Sequence, residues 1–281
     1  MKTMGMWAIT ACLATGICSQ TLTAEDGIQV RSVVRQTPRP LVLSIAEIDL
    51  TTAGLAFVVT GENGDPNGDA PGDPNRETTR RTTLQFLCDQ QARLAINATF
   101  FEMGETDTDN VGLVVSDGVP VSPFYENWPA LNIDAQNRAH IVRGRHETFD
   151  LVAPEGVQLH NAVSGNRQIV TDGKVTVNEA NTDVHPRTAV GIGDDDRLVF
   201  LVVDGRQPGV SEGMTMKELG EEMCALGCVQ ALNLDGGGSS TMAVADPEPR
   251  VVNVPSSRTK WGKLGVLRKN GTNLGVRVGR E

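Results

Sequence analysis

Leu198-Val199-Phe200-Leu201-Val202-Val203-Asp204-Gly205-Arg206 is an unbroken apolar run that ends at a carboxylate, a glycine and an arginine. Six consecutive large apolar residues predict a strand covered on both faces. Thr215 follows, with Glu218 three residues on, which is a capping box, and Met216, Leu219, Met223 and Leu226 then recur on one helical face. Gly227 is placed to end that helix, and Val229–Leu234 reads as a second apolar strand delivering Asp235. Strand, helix and strand in this order predict a crossover about residues 198–234 and two parallel strands. Asp204 and Asp235 then leave the same sheet edge, where ligands of such sheets gather. The fold class expected is α+β or mixed α/β, a central mixed sheet with helices plus antiparallel hairpins. The hairpin turns are Ser116-Asp117-Gly118 and Thr171-Asp172-Gly173-Lys174.

The second strand opens into Asn233-Leu234-Asp235-Gly236-Gly237-Gly238-Ser239-Ser240-Thr241-Met242. Three adjacent glycines give up backbone entropy, so the chain there turns sharply or lies against something small. Their amides can point at one spot while the carboxylate, amide and hydroxyl side chains surround it, a loop suited to an anion or a polyhydroxylated ligand. A plain surface turn is the simpler alternative. Upstream, Thr82–Ala92 reads as a helix with Leu84, Leu87 and Cys88 on one face, and Leu94–Asn97 as a strand leading to Phe100, Phe101 and Glu102.

At 281 residues the chain can bury about three quarters of its unfolded surface. A net charge of −10 and no contiguous block of Lys and Arg argue against a nucleic-acid partner. Lys2, an apolar segment from about Met6 to Ile17, and Ser19-Gln20-Thr21 have the layout of a secretory signal. We therefore expect a signal peptide at residues 1–24, a single domain over 25–281, and a secreted or periplasmic location. Lipoprotein anchoring at Cys18 is the lesser alternative, because Ile17 precedes it. The apolar segment is shorter than the ~20 residues a spanning helix needs, and no later segment qualifies. Cys88, Cys224 and Cys228 would remain, an odd number that builds no disulfide framework; Cys224 and Cys228 either bridge locally or are small core residues.

Residues 61–77 form an acidic Gly/Pro/Asp loop. Asp65, Asn67 and Asp69 have the alternate spacing of a calcium loop. Ala70 and Arg76 stand where such a loop needs Gly and Glu, which favours a plain acidic loop. No cofactor is required by the sequence, and a divalent cation, Ca²⁺ or Mg²⁺, is left open.

Several of these motifs, in this order, resemble the phosphodiester glycosidase family typified by the uncovering enzyme, N-acetylglucosamine-1-phosphodiester α-N-acetylglucosaminidase. The resemblance spans roughly Arg93 to the C-terminus. It is carried by Val202–Arg206, Gly213–Met216, Glu218-Leu219, Leu226-Gly227 and Asn233–Met242, with Pro186–Gly191, Gly112–Gly118 and Asp172–Lys174 in support. Asn97-Ala98-Thr99-Phe100-Phe101 departs from the family's Asn-Gly-Gly-Tyr-Phe, and its extra side chains are expected to narrow one pocket wall.

The resemblance implies hydrolysis of a glycosyl phosphodiester in extracellular or envelope glycans. The reaction needs carboxylates at an oxocarbenium-like carbon, and Asp235, Asp204 and Glu102 are the expected catalytic residues. Phosphate oxygens call for planar paired donors. Arg187 and Arg206 fill that role, joined by His185, Asn97, the Gly236, Gly237 and Gly238 amides, and Ser239, Ser240 and Thr241. Each has a structural alternative: a turn at Asp204, ion pairs at the arginines, a strand-end cap at Asn97 and a hydrogen-bonded structural histidine at His185. A serine hydrolase built on Ser239 or Ser240 with His185 lacks a nucleophile elbow, and Ser257-x-x-Lys260 lacks the companion motifs of penicillin-recognising enzymes. The reading of a different class is a non-catalytic carbohydrate-binding envelope protein on the same fold.

Overall fold

The computed structural model describes residues 17–64, 76–104, 106–178 and 182–279. Strands make up 47 % of the described residues and helices 8 %, and every strand pairing among them is antiparallel. The expected mixed α/β class with a helix-flanked central sheet is therefore corrected to a β-rich fold. The described α-helices are two, Thr83–Asp89 and Met216–Ala225.

The largest sheet has eight strands, in the order Ile17–Glu25, Ile28–Arg35, Leu41–Asp49, Arg197–Val203, Arg187–Gly193, Cys228–Asn233, Arg167–Thr171 and Lys174–Val175. The run at 198–203 is indeed covered on both faces. Leu198, Phe200 and Val202 face a core shared with the smaller sheets, whereas Val199, Leu201 and Val203 pack with Leu219 and Met223 of the helix. A continuous apolar strand thus reports two covered faces, and two covered faces do not require parallel neighbours.

The helix at 216–225 bridges two strands that are not adjacent. Arg187–Gly193 lies between them and is antiparallel to each, so Arg197–Val203 and Cys228–Asn233 run in the same direction. Val203 sits opposite Arg187, and Asn233 opposite Ala189. Asp204, Arg187 and Asp235 are brought to one sheet edge by this register. The expected capping box at Thr215 is formed, and Thr82 makes a second, unexpected one with Gln85. On the first helix the buried side chains are Thr83, Phe86 and Leu87; Cys88, expected on the inner face, is exposed.

A five-stranded sheet, ordered Pro249–Val251, Met242–Ala245, Leu94–Asn97, Asn273–Val278 and Leu55–Val59, packs its apolar side chains into the shared core. A six-stranded sheet, ordered Val119–Ser122, Val114–Ser116, Asn161–Ser164, Ala130–Ile133, Ala139–Gly144 and Leu151–Ala153, adds Val114, Leu131, Ile133 and Val163. The two expected hairpins are present, with Asp117 (φ 50°) and Gly118 (φ 78°), and Asp172 (φ 49°) and Gly173 (φ 68°), in the left-handed conformation of tight turns.

The apolar part of the expected signal and most of loop 61–77, including Asp65, Asn67 and Asp69, lie outside the described residues. Residues 17–25 pair as an edge strand with Ile28–Arg35. Cys18, Cys88, Cys224 and Cys228 are free thiols, and burial pushes the Cys228 thiol up to about 12, as suits a core residue. Among the described residues no helix is long and apolar enough to cross a membrane.

Candidate active site

The edge shared by Arg187 and Asp235 opens into a cleft of about 260 Å³. It is lined by Phe100, Asn166, His185, Pro186, Arg187, Arg206, Met216, Asn233, Asp235, Gly236, Gly237, Gly238 and Arg268. Asp235 is the one carboxylate in this lining, and three guanidinium groups share the space with it.

Asp235 is held from behind by two sheets. Its N–H donates to Ala98 O at 2.9 Å, and its carbonyl accepts from Asn97 Nδ2 at 2.6 Å. Asn97 Oδ1 in turn accepts from Thr188 Oγ1 at 2.8 Å and from the Thr241 N–H at 3.0 Å. Asn97 is fully buried and does not line the cleft, and its amide is engaged at both ends, so it positions the aspartate rather than meeting a ligand. Burial raises the Asp235 carboxyl to about 6, against the opposing pull of the Ser239 hydroxyl, the Arg268 charge and the Gly236 N–H.

The glycine loop turns over the carboxylate. Gly237–Ser239 forms one 3₁₀ turn, and the Gly237 N–H donates to Pro186 O at 2.9 Å. Gly237 has φ +62°, and a Cβ there would stand 3.3 Å from the Arg206 guanidinium. At Gly238 a Cβ would come within 2.4 Å of both Arg268 Nη2 and Ser257 Oγ. Glycine is required at Gly237 by its left-handed φ and at Gly236 by backbone, where a Cβ would stand 2.7 Å from Pro186 O; at Gly238 the close groups are side-chain ends that can move. The Gly236 and Gly237 amides, expected to face a ligand, bond instead to Asp235 and Pro186; the Gly238 N–H has no partner among the described residues. Ser239, Ser240 and Thr241 are buried behind the loop and do not line the cleft. Ser239 Oγ meets Arg268 Nη1 at 3.4 Å, and Ser240 O accepts from Asn253 at 3.0 Å.

Arg187 is buried, with Nε donating to Met214 O at 2.9 Å and Nη2 to Asp183 O at 3.2 Å. Arg206 has φ +59° and brings Nη2 to within 3.5 Å of His185 Nδ1. Desolvation, with Arg187 and Arg206 nearby, lowers the His185 pKa and favours a neutral ring.

Asp204 and Glu102 are placed elsewhere. Asp204 is buried outside the cleft lining, its carboxylate accepting from Asn253 Nδ2 at 2.9 Å and from the Val254 N–H at 3.0 Å. It fastens the segment after Pro249–Val251 to the sheet edge, and burial raises its carboxyl to about 6 as well. Glu102 is exposed and does not line the cleft. Ala98 and Thr99, expected to narrow a pocket wall, are buried; Thr99 Oγ1 accepts the Ser164 N–H at 3.1 Å, and Phe100 forms the wall instead.

Arg268, Asn166, Phe100 and Met216 were not expected as site residues. Arg268 carries the largest consequence, because it is the cation that pulls on Asp235. It lies in Val266-Leu267-Arg268-Lys269, which has no motif, and 33 residues separate it from Asp235 in the chain. Among the described residues no group of three or more His, Cys, Asp and Glu side chains is arranged to hold a metal.

The phosphodiester glycosidase family model matches residues 90–277, a span that holds every cleft residue. The chain belongs to the phosphodiester glycosidase family. Mouse N-acetylglucosamine-1-phosphodiester α-N-acetylglucosaminidase is 30 % identical over 172 residues, covering 54 % of this chain and 32 % of its own length. An uncharacterized SPbeta prophage-derived protein of Bacillus subtilis is 29 % identical over 174 residues, covering 59 % of this chain and 26 % of its own. The chain thus spans about a third or less of these curated relatives.

Among solved structures, the zebrafish N-acetylglucosamine-1-phosphodiester α-N-acetylglucosaminidase catalytic domain, auto-inhibited by its pro-peptide, aligns with a TM-score of 0.64 and 17 % identity. That alignment covers 97 % of this chain and 87 % of that one. A putative exported protein of Burkholderia pseudomallei aligns with a TM-score of 0.62 and 16 % identity, covering 88 % and 76 %. The likeness of fold therefore reaches the N-terminal strands that precede the family match.

Proposed function

We propose that the protein is a glycosidase that hydrolyses a sugar-1-phosphodiester, with Asp235 acting at the anomeric carbon and Arg187, Arg206 and Arg268 holding the phosphate. The observation that carries this reading is one raised carboxyl group sharing a small cleft with three guanidiniums. A phosphodiester brings one negative charge, which the cationic cleft favours over a neutral glycoside.

In the proposed reaction the Asp235 carboxylate takes a proton from water as the water oxygen bonds to the anomeric carbon. The bond from that carbon to the phosphate oxygen breaks, and the phosphate monoester leaves with the electron pair. A phosphate monoester is a weak base, so the arginines and the Gly238 N–H, by stabilising developing charge, do more for it than a proton donor would. The family assignment supports this reaction class, and the secretory layout of the N-terminus supports extracellular or envelope glycans as its setting.

The test is release of free sugar from a panel of α- and β-linked sugar-1-phosphodiesters by wild type, Asp235→Asn and Arg206→Ala protein, with a chelator control. Turnover by wild type that both substitutions abolish is expected. Folded wild-type protein that binds these ligands without turnover would instead make it a carbohydrate-binding protein, and loss of turnover on chelation would add a metal ion to the scheme.

A further inference from the structure

Residues 249–280 contain eight of the chain's 25 Lys and Arg and none of its 35 Asp and Glu. In a protein of net charge −10 this is a local reversal of sign. Part of it is drawn into one loop. The Val266 N–H donates to Ser257 O at 3.2 Å, and Arg258 and Leu264 form a β-bridge, so residues 257–266 close as a short hairpin. Its tip is fixed by its own polar atoms. Thr259 Oγ1 accepts the Trp261 and Lys263 N–H groups at 3.2 and 3.1 Å, and Arg258 Nη1 donates to Gly262 O at 2.9 Å. The tip carries Lys260, Trp261 and Lys263.

Trp261 is 83 % exposed, the most exposed of the large apolar side chains described, and Lys260 Nζ lies 4.8 Å from its ring centre. An indole in water beside ammonium groups offers a flat face for a sugar ring and charge for a phosphate. Single exposed apolar side chains are common on protein surfaces, so the position of this one matters. Both feet of the hairpin stand on the cleft wall: Ser257 Oγ donates to Gly238 O at 3.3 Å, and Arg268, just beyond the other foot, lines the cleft. Four residues separate Trp261 from Ser257, which limits their separation to about 14 Å.

We propose that the 257–266 hairpin is an extended subsite beside the cleft that binds a neighbouring sugar-phosphate unit of an anionic, phosphodiester-linked glycan, through stacking on Trp261 and charge from Lys260 and Lys263. This deepens the glycosyl phosphodiesterase reading and rests on it for the identity of the ligand. It assigns the preferred substrate class as a polymer with several phosphodiester linkages. A lone sugar-1-phosphodiester fills the cleft and leaves the hairpin unoccupied.

The experiment compares a synthetic hexose tetramer joined by phosphodiesters with a single hexose-1-phosphodiester and with a neutral hexose tetramer. Wild type, Trp261→Ala and a Lys260→Gln/Lys263→Gln double variant are tested. Binding is measured by calorimetry on these proteins in the Asp235→Asn background, and turnover in the unaltered background. The expected result is about a tenfold rise in KM for the phosphodiester tetramer in Trp261→Ala, with kcat unchanged and the single-unit substrate unaffected. The double-lysine variant is expected to flatten the salt dependence of tetramer binding, and the neutral tetramer to bind weakly to all.

Equal losses on both phosphodiesters would overturn the proposal and reduce the hairpin to a prop for the glycine loop. Unchanged tetramer binding in both variants would also overturn it, as would Trp261-dependent binding to phosphatidylglycerol vesicles in place of the tetramer. If wild type turns over neither phosphodiester, the catalytic reading fails. Trp261-dependent tetramer binding would then still stand or fall by calorimetry.

Discussion

Asp204 and Asp235 end two strands that run in the same direction, at the same edge of the same sheet, and burial lifts both carboxyls to about 6. Their surroundings separate them. The Asn253 side chain and the Val254 N–H close over the carboxylate of Asp204, whereas Asp235 borders a cleft with Arg187, Arg206 and Arg268. Equal acidity arises from one shared cause, desolvation, and carries no information about role. Role follows from what stands in front of the carboxylate. One is a fastener for the chain after the glycine loop, and the other is open to a ligand.

The sharpest test of this contrast is substitution of each carboxylate. Asp235→Asn is expected to lower kcat by about 10²–10⁴-fold with little change in thermal midpoint, measured by sugar release and by thermal unfolding. Arg268→Ala should cost about 10²-fold in kcat/KM through lost charge stabilisation. It should also move the acid limb of the rate profile to higher pH, because Arg268 pulls the Asp235 carboxyl down. Asp204→Ala is expected to act on stability instead. It strips the acceptor from two donors and should cost about 3 kcal/mol, with kcat per folded molecule close to wild type, as denaturant titration and active-site counting would show. Glu102→Gln, at an exposed site outside the cleft, should change kcat less than about twofold and stability less than about 0.5 kcal/mol.

Titration separates the pair in another way. The rate requires ionised Asp235, so kcat should rise with pH through about 6. Stability should respond with the opposite sign. Both carboxyls are raised above the ordinary 3.8, so the folded protein holds protons that the unfolded chain releases. That contribution is complete below about pH 3.8 and is lost as pH rises through about 6. Asn at position 204 keeps one acceptor oxygen for Asn253 and Val254 and cannot ionise. Asp204→Asn should therefore remove Asp204's share of the stability slope between pH 4 and 6, leaving that of Asp235, with the rate profile in place.

Local elements were legible because their causes are local. The capping box at Thr215, the left-handed hairpin turns at Asp117 and Asp172, and the strand leading to Asp235 each depend on residues a few positions apart. The ordered motifs from Val202 to Met242 were sufficient for the family. The sheet class was misread because a run such as Leu198–Val203 reports coverage on both faces and says nothing of strand direction. Insertion of Arg187–Gly193 between the two strands is a long-range pairing that no local pattern encodes.

The sequence by itself determined which strand ends carry acid, which loop must be glycine and which family the chain joins. Only the tertiary structure decided that Asp204 is sealed, that Asn97 is spent on holding Asp235, and that Arg268 completes the cationic wall. The physical reason is the same in each case. Hydrogen-bond satisfaction, desolvation and charge proximity are properties of groups that meet across the fold, and those groups here lie tens to more than a hundred residues apart in the chain.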